Sequence, residues 1–159
     1  FEKLSVQNSG FGVIRGGLKR MYKQGRKYLK KTKKNADSDT IHDLRKRSKY
    51  LWYHMQLIQP LYPKLIGAHE KTLDRISEEL GFYRDVYLFL KRLQSEGFYQ
   101  SHPETGKKME THYEQLANDS LNLAIVEAEK LYLEKPGAFV KRIKKYWELS
   151  LILKVNQVI

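Results

Sequence analysis

The stretch GVIRGGLKRMYKQGRKYLKKTKK, residues 12–34, carries ten Lys and Arg side chains and not one Asp or Glu. At about 100° per residue, Ile14, Leu18, Met21, Tyr22, Gly25, Tyr28, Leu29 and Thr32 fall on one face. Arg15, Lys19, Arg20, Lys23, Arg26, Lys27, Lys30 and Lys31 occupy the opposite arc. The spacing predicts an amphipathic helix from Gly12 to Lys34, with a lead-in over residues 1–10. Like charges one turn apart weaken a helix, and ordinary solvated faces mix both signs. A basic arc with no acidic partners therefore points to an anionic ligand rather than to solubility.

The whole chain repeats this asymmetry. Of 159 residues, 30 are Lys or Arg and 18 are Asp or Glu, a formal net charge of +12. Residues 1–60 hold fifteen basic and four acidic side chains, whereas residues 61–159 hold fifteen and fourteen. A field concentrated in one third of a chain attracts anions. The absence of cysteine excludes disulfide and thiol chemistry. No apolar run approaches the roughly 18 residues of a membrane span, and the first residues carry no signal-peptide core. The chain is expected to be cytoplasmic, with no membrane partner.

After the first helix, ADSDT reads as a polar turn in which Asp39 or Thr40 caps a second helix over 40–59, stopped by Pro60. Its buried stripe is Ile41, Leu44, Ser48, Leu51, Trp52, Met55 and Ile58. A third helix over 64–80 turns Leu65, His69, Leu73, Ile76 and Leu80 inward and ends at Gly81. A fourth over 83–95 carries Val86, Leu88, Phe89, Leu90 and Leu93. EGFYQSHPETG is a loop, a fifth helix runs over 107–134, and Pro136 opens a sixth with Phe139, Ile143, Tyr146, Ser150 and Leu153 aligned. Strand alternation is absent. The expectation is an all-α antiparallel bundle of about six helices, one domain over 1–159.

The most informative constellation lies on the second helix, where His42, Arg45 and Lys49 recur at spacings of three and four. They share one face, flanked by Lys46 and Tyr53, and no carboxylate interrupts it. Arg45 offers a planar fork matched to two phosphate oxygens, Lys49 a movable charge, and His42 a ring donor. An antiparallel first helix would set Lys19, Arg20, Lys23, Arg26, Lys27 and Lys30 beside them and leave a groove for a linear polyanion. Arg84 could extend it, while Asp85 reads as a cap or an ion-pair partner. His54, His69, His102 and His112 stand apart from that face, and His69 reads as core. No His–carboxylate cluster suggests a metal, and no Gly-rich phosphate loop or set of metal-binding acids suggests catalysis. Lys141, Arg142 and Lys145 read as a solvated face.

At HDLRKRSKYLWY, 42–53, the sequence resembles the CHAD domain, the conserved-histidine α-helical domain. GLKRMYKQGRKY at 17–28 is similar to that family's basic helix. LGFYRDVYLFL at 80–90 is similar to its LG-x-x-RD segment, and LYLEKPGAFVKRIKKYW at 131–147 to its closing helices. The resemblance implies a helical bundle that binds inorganic polyphosphate, in some members at polyphosphate granules. It implies binding roles for His42, Arg45 and Lys49, and for Arg20, Lys23, Arg26 and Lys27, with no cofactor. Only one histidine-centred basic helix occurs here, so the chain looks like the C-terminal half of the family's two-part domain. A full groove would then need an N-terminal half or a homodimer partner. Gln24 stands where members often carry another basic residue. RNA or DNA is the weaker candidate ligand, its case resting on interleaved Tyr22, Tyr28, Tyr50, Trp52 and Tyr53. Further alternatives are a phosphoanhydride-processing domain and a scaffold for an acidic protein.

Overall fold

The computed structural model describes residues 10–155, with side chains described through Ile152. The predicted lead-in over 1–9 and the inward role of Leu153 lie outside what it describes. Among the described residues all regular structure is helical: α1 Gly12–Lys34, α2 Ser38–Ile58, α3 Pro63–Ser95, the single turn α4 Phe98–Ser101, α5 Pro103–Leu131 and α6 Pro136–Val155. A 3-10 turn at Gln59–Leu61 joins α2 to α3. The expected all-α bundle is what forms.

Side-chain pairings define the packing. Thr32 reaches the Thr40 carbonyl and Gly17 lies against His54, so α2 runs antiparallel to α1. Arg45 meets Ser77 while Gln56 meets Glu70, so α3 runs back along α2. Ser120 bonds Glu79 and Tyr113 packs on Phe89, which sets α5 antiparallel to α3. Tyr22 stacks on Phe139 and Phe11 on Trp147, so α6 lies antiparallel to α1.

The predicted apolar faces of the first two helices are the buried ones. Leu18, Met21, Tyr22, Gly25, Leu29 and Thr32 are buried on α1, and Ile41, Leu44, Ser48, Leu51, Met55 and Ile58 on α2. Ile14, Tyr28 and Trp52 pack against them from the edge. Helix α1 has no ion pairs among its own side chains, so this burial is what chiefly holds it in place.

Two expectations are corrected. The third and fourth predicted helices are one continuous helix, because Gly81 keeps helical backbone and terminates nothing. Leu88 and Phe89, carried by the predicted fourth helix, are exposed, at 48% and 38%. Beyond the start of α2 the second half of α3 loses that neighbour, and it packs on α5 through residues such as Val86 and Leu90. The loop expected between them contains the α4 turn, which begins after Gly97 in the left-handed region at φ 72°.

The tightest joint of the bundle is at Gly25. The ring of Tyr132, just past the end of α5, fills the space a side chain would need there. A Cβ on Gly25 would lie closer than 3.0 Å to two atoms of that ring and to its hydroxyl oxygen. Tyr132 is buried, shares a hydrogen bond with Ser48 Oγ at 3.3 Å, and meets Tyr22 edge-on at 5.3 Å. It has nowhere to retreat. Gly25→Ala would gain about 1 kcal/mol of helix propensity, but overpacking of this kind costs about 1–3 kcal/mol and displaces the Tyr132–Ser48 bond as well. The net effect is expected to be destabilising, read as a lower midpoint in urea unfolding; an unchanged or higher midpoint would contradict the packing described.

Candidate anion-binding cleft

Asp37 starts α2. Its carboxylate accepts the Thr40 backbone N–H at 2.7 Å and the Asn35 side-chain amide at 2.8 Å. The cap is thus Asp37, two residues before the earlier of the two expected positions, since its oxygen reaches the third residue onward. The Thr40 amide is the first cause holding the Asp37 carboxyl below its ordinary range.

Immediately beyond this cap, α2 and α3 enclose a cleft of about 240 Å3. Its basic lining is His42 and Arg45 from α2 and Arg84 from α3; Tyr83 and Tyr87 form an aromatic wall, and Asp37 adds a carboxylate to the lining. Arg45 donates Nε–H to the Ser77 carbonyl at 3.0 Å. That bond fixes the guanidinium plane and leaves the N–H groups of both terminal nitrogens for a ligand. Gly81 supplies the clearance: a Cβ there would lie 3.3 Å from Arg45 Nε and 3.4 Å from Nη2. The LG-x-x-RD stretch therefore has a local reading. Leu80 is core, Gly81 makes room for Arg45, and Arg84 reaches the same recess one turn later.

The predicted cationic residues separate into four groups. His42, Arg45 and Arg84 share the cleft, and helical spacing continues their row to half-buried Lys49. Arg20, Lys23, Lys27 and Lys30 are exposed along α1, and Lys46 is exposed on α2. Lys19 lines a different cleft, against α6. Arg26 turns inward and donates to the Leu133 and Glu134 carbonyls, occupying acceptors left open just beyond the end of α5.

The His42–Arg45 row faces α3, not α1. On the α1 side of α2 stand Arg47, over the Tyr28 ring at 5.6 Å, and His54 against Gly17. Both flanks of the α2 stripe are polar, and either could face the first helix. The choice follows from how the chain turns after Ile58, which periodicity does not encode. Tyr83 and Tyr87 are not singled out by the sequence pattern. Their signal is the spacing of three from Leu80 to Tyr83 and from Arg84 to Tyr87, visible once α3 is drawn through Gly81.

Neutralisation is sparse. Of the ten basic residues of α1, Lys33 pairs with Glu129 and Arg26 is held by carbonyls. The other eight have no carboxylate within ion-pair distance among the described residues, nor do His42, Arg45, Lys46, Arg47 and Lys49 of α2. No group of three or more His, Asp or Glu suited to a metal ion occurs among the described residues. Nor is any described helix long and apolar enough to cross a membrane.

Fold and cleft together define an all-α bundle with a solvent-facing cationic recess at the start of its second helix. A family model for the CHAD domain matches residues 3–94. That is more than half of the chain, which therefore belongs to the CHAD family. The match takes in α1, α2 and nearly all of α3, hence every side chain of the cleft; the similarity at 131–147 lies beyond it. No curated protein and no solved structure matches the chain.

The cap gives a test of the cleft's frame. Because the folded-state carboxyl of Asp37 titrates below its usual value, its stabilising effect is complete above the ordinary aspartate value of 3.8 and disappears as pH falls through the folded value. Asp37→Ala is expected to lower the melting temperature at pH 7, and the gap from wild type should narrow as the pH is taken below that value. A gap independent of pH would mean that the carboxylate is not the cap.

Proposed function

We propose that the chain binds inorganic polyphosphate, without chemistry of its own, through the α2–α3 cleft and the adjoining cations of α1 and α2. The observation that carries this reading is the uncompensated charge. Thirteen basic side chains on two neighbouring helices lack a carboxylate partner among the described residues, and three basic side chains, two of them arginines, converge on one recess. Family membership supports it, since CHAD domains are associated with polyphosphate in general.

The cleft's size suits part of a chain. At about 240 Å3 it falls below the roughly 300–1,000 Å3 of pockets that enclose a whole small molecule. A few phosphate groups seated there would accept from Arg45, Arg84 and His42, with the rest of the polymer on the open cationic surface. Charge-assisted hydrogen bonds contribute about 1.5–3 kcal/mol each, so two arginines are enough to mark the cleft as a site within a broader field. Asp37 opposes the anion but is already engaged by two donors. Binding by charge neutralisation releases counterions and weakens steeply with salt. The retained roles of Lys49, Lys46, Arg20, Lys23, Lys27 and Lys30 belong to that wider surface; Arg26 contributes through the frame. Cytoplasmic residence, a link to polyphosphate granules and a second domain half or copy remain parts of the same proposal.

A second reading, single-stranded RNA, is favoured by one observation. Tyr50 and Tyr53 are exposed, at 39% and 50%, so each presents ring surface on which a base could stack, although Arg47 lies over one side of Tyr50 and Trp52 packs on Tyr53. The other candidate aromatics are committed to packing: Tyr22 is buried, and Tyr28 and Trp52 are partly so.

Titration with polyphosphate of defined lengths at two salt concentrations, with RNA as competitor, decides between them. Polyphosphate should displace RNA readily and RNA should displace polyphosphate poorly; the reverse order would favour RNA. Arg45→Gln with Arg84→Gln should weaken polyphosphate binding about tenfold or more, taking 1.4 kcal/mol per decade. The charge-matched pair Lys107→Gln and Lys108→Gln, exposed at the start of α5, should cost far less, and equal losses would mean a diffuse field without a site. Gly81→Ala separates stability from binding. It should leave thermal stability unchanged or raise it, by helix propensity, while weakening polyphosphate binding by crowding Arg45.

A further inference from the structure

The chain has a second cationic cleft, on the far side of α1. Arg15 and Lys19 of α1 and Lys141 and Lys144 of α6 line a recess of about 350 Å3 floored by Phe11, Gly137 and Val140. Among the described residues no carboxylate lines it. The first turn of α6 opens at this place, with Gly137 beside the recess and open space where its side chain would be. Amides of a helix's first turn point outward and favour anions. Lys144 is shared with Glu148 at 3.3 Å, an exposed contact on a carboxylate that Lys145 also holds, at 2.9 Å. Arg15, Lys19 and Lys141 have no such partner among the described residues.

Sequence spacing alone assigned Lys141 to a solvated face and Lys19 to a groove shared with α2. Their convergence depends on α6 lying antiparallel on α1, which brings residues 137–144 of α6 beside residues 15–19 of α1. The two clefts then sit toward opposite ends of α1. The α1–α6 recess lies at the level of residues 15–19. The α2–α3 cleft lies near the level of Lys30, because Thr32 is beside Thr40. Fifteen residues of helix separate Arg15 from Lys30, about 22 Å along the axis. The exposed side chains of Arg20, Lys23, Lys27 and Lys30 occupy that interval.

We infer that the α1–α6 cleft is a second phosphate-binding site, which takes the distal part of a long linear polyphosphate whose other part occupies the α2–α3 cleft. This rests on the function proposed above. One chain bridging two sites makes the second binding event intramolecular, so avidity exceeds either site alone only for chains long enough to span both. A short oligomer fills one cleft and gains nothing from the other.

The test compares tripolyphosphate with polyphosphate of about a hundred units, using the full chain. Arg15→Gln with Lys141→Gln removes two exposed charges, and circular dichroism should show unchanged helix content. Long-chain affinity should fall tenfold or more, while tripolyphosphate affinity changes less than twofold. The Lys107→Gln and Lys108→Gln pair provides the comparison for net charge. A long-chain loss no larger than in that pair would overturn the second site, as would equal proportional losses for both lengths. The fate of the first reading shows separately. If Arg45→Gln with Arg84→Gln leaves both ligands bound as in wild type while the α1–α6 variant loses long-chain binding, the α2–α3 assignment fails. Wild-type protein that binds neither length overturns both.

Discussion

The close approach of Tyr132 to Gly25 is the constraint on which the rest of the molecule depends. One aromatic ring, packed where α1 has no side chain, touches the basic helix, shares a hydrogen bond with Ser48 of α2 and meets Tyr22. Tyr22 in turn donates to the Leu131 carbonyl at 3.0 Å and stacks on Phe139 at 4.0 Å. Three helices and the start of a fourth are joined here by surfaces that fit only if residue 25 is glycine. Burial pushes the Tyr22 phenol up to about 12, so this joint stays neutral at any ordinary pH. Arg26 adds a charged hydrogen bond to the end of α5 from the adjacent position.

Such a joint is needed because α1 opposes its own folding. A helix with ten like charges and no acids gains nothing from pairs one turn apart and loses something to repulsion. Its outward field persists because the inward arc is fixed by packing. A phosphate polymer would relieve the repulsion, so ligand binding and folding stability are coupled in the direction of mutual support.

Much of this was legible in the residues. The 3.6-residue pattern of α1 and α2 was strong enough to bound both helices within about two residues and to name nearly every buried position. It failed where local rules and tertiary contacts disagree. Gly81 has the local signature of a helix stop, yet its role is clearance for a side chain 36 positions away. Leu88 and Phe89 have the composition of core, yet the neighbour that would cover them has already turned away. Neither fact is present in a window of sequence, because each depends on where α2 begins relative to α3.

The candidate site shows the same division. That His42, Arg45 and Lys49 share a face follows from spacing, and so does their freedom from carboxylates on their own helix. Which helix they face does not follow. Arg84 joins them only because α3 passes straight through Gly81, and Lys19 leaves them only because α6 folds back along α1. The basic residues of the first two helices are thus not one surface. Packing sorts them into a recess with a fixed arginine, an open strip, a second recess and one structural cap. Charge composition alone predicted an attraction for anions without distinguishing these groups, although Arg26 is spent on backbone carbonyls. The arrangement adds a linear order along α1, and order along a line is what separates recognition of a polymer from attraction to any negative charge.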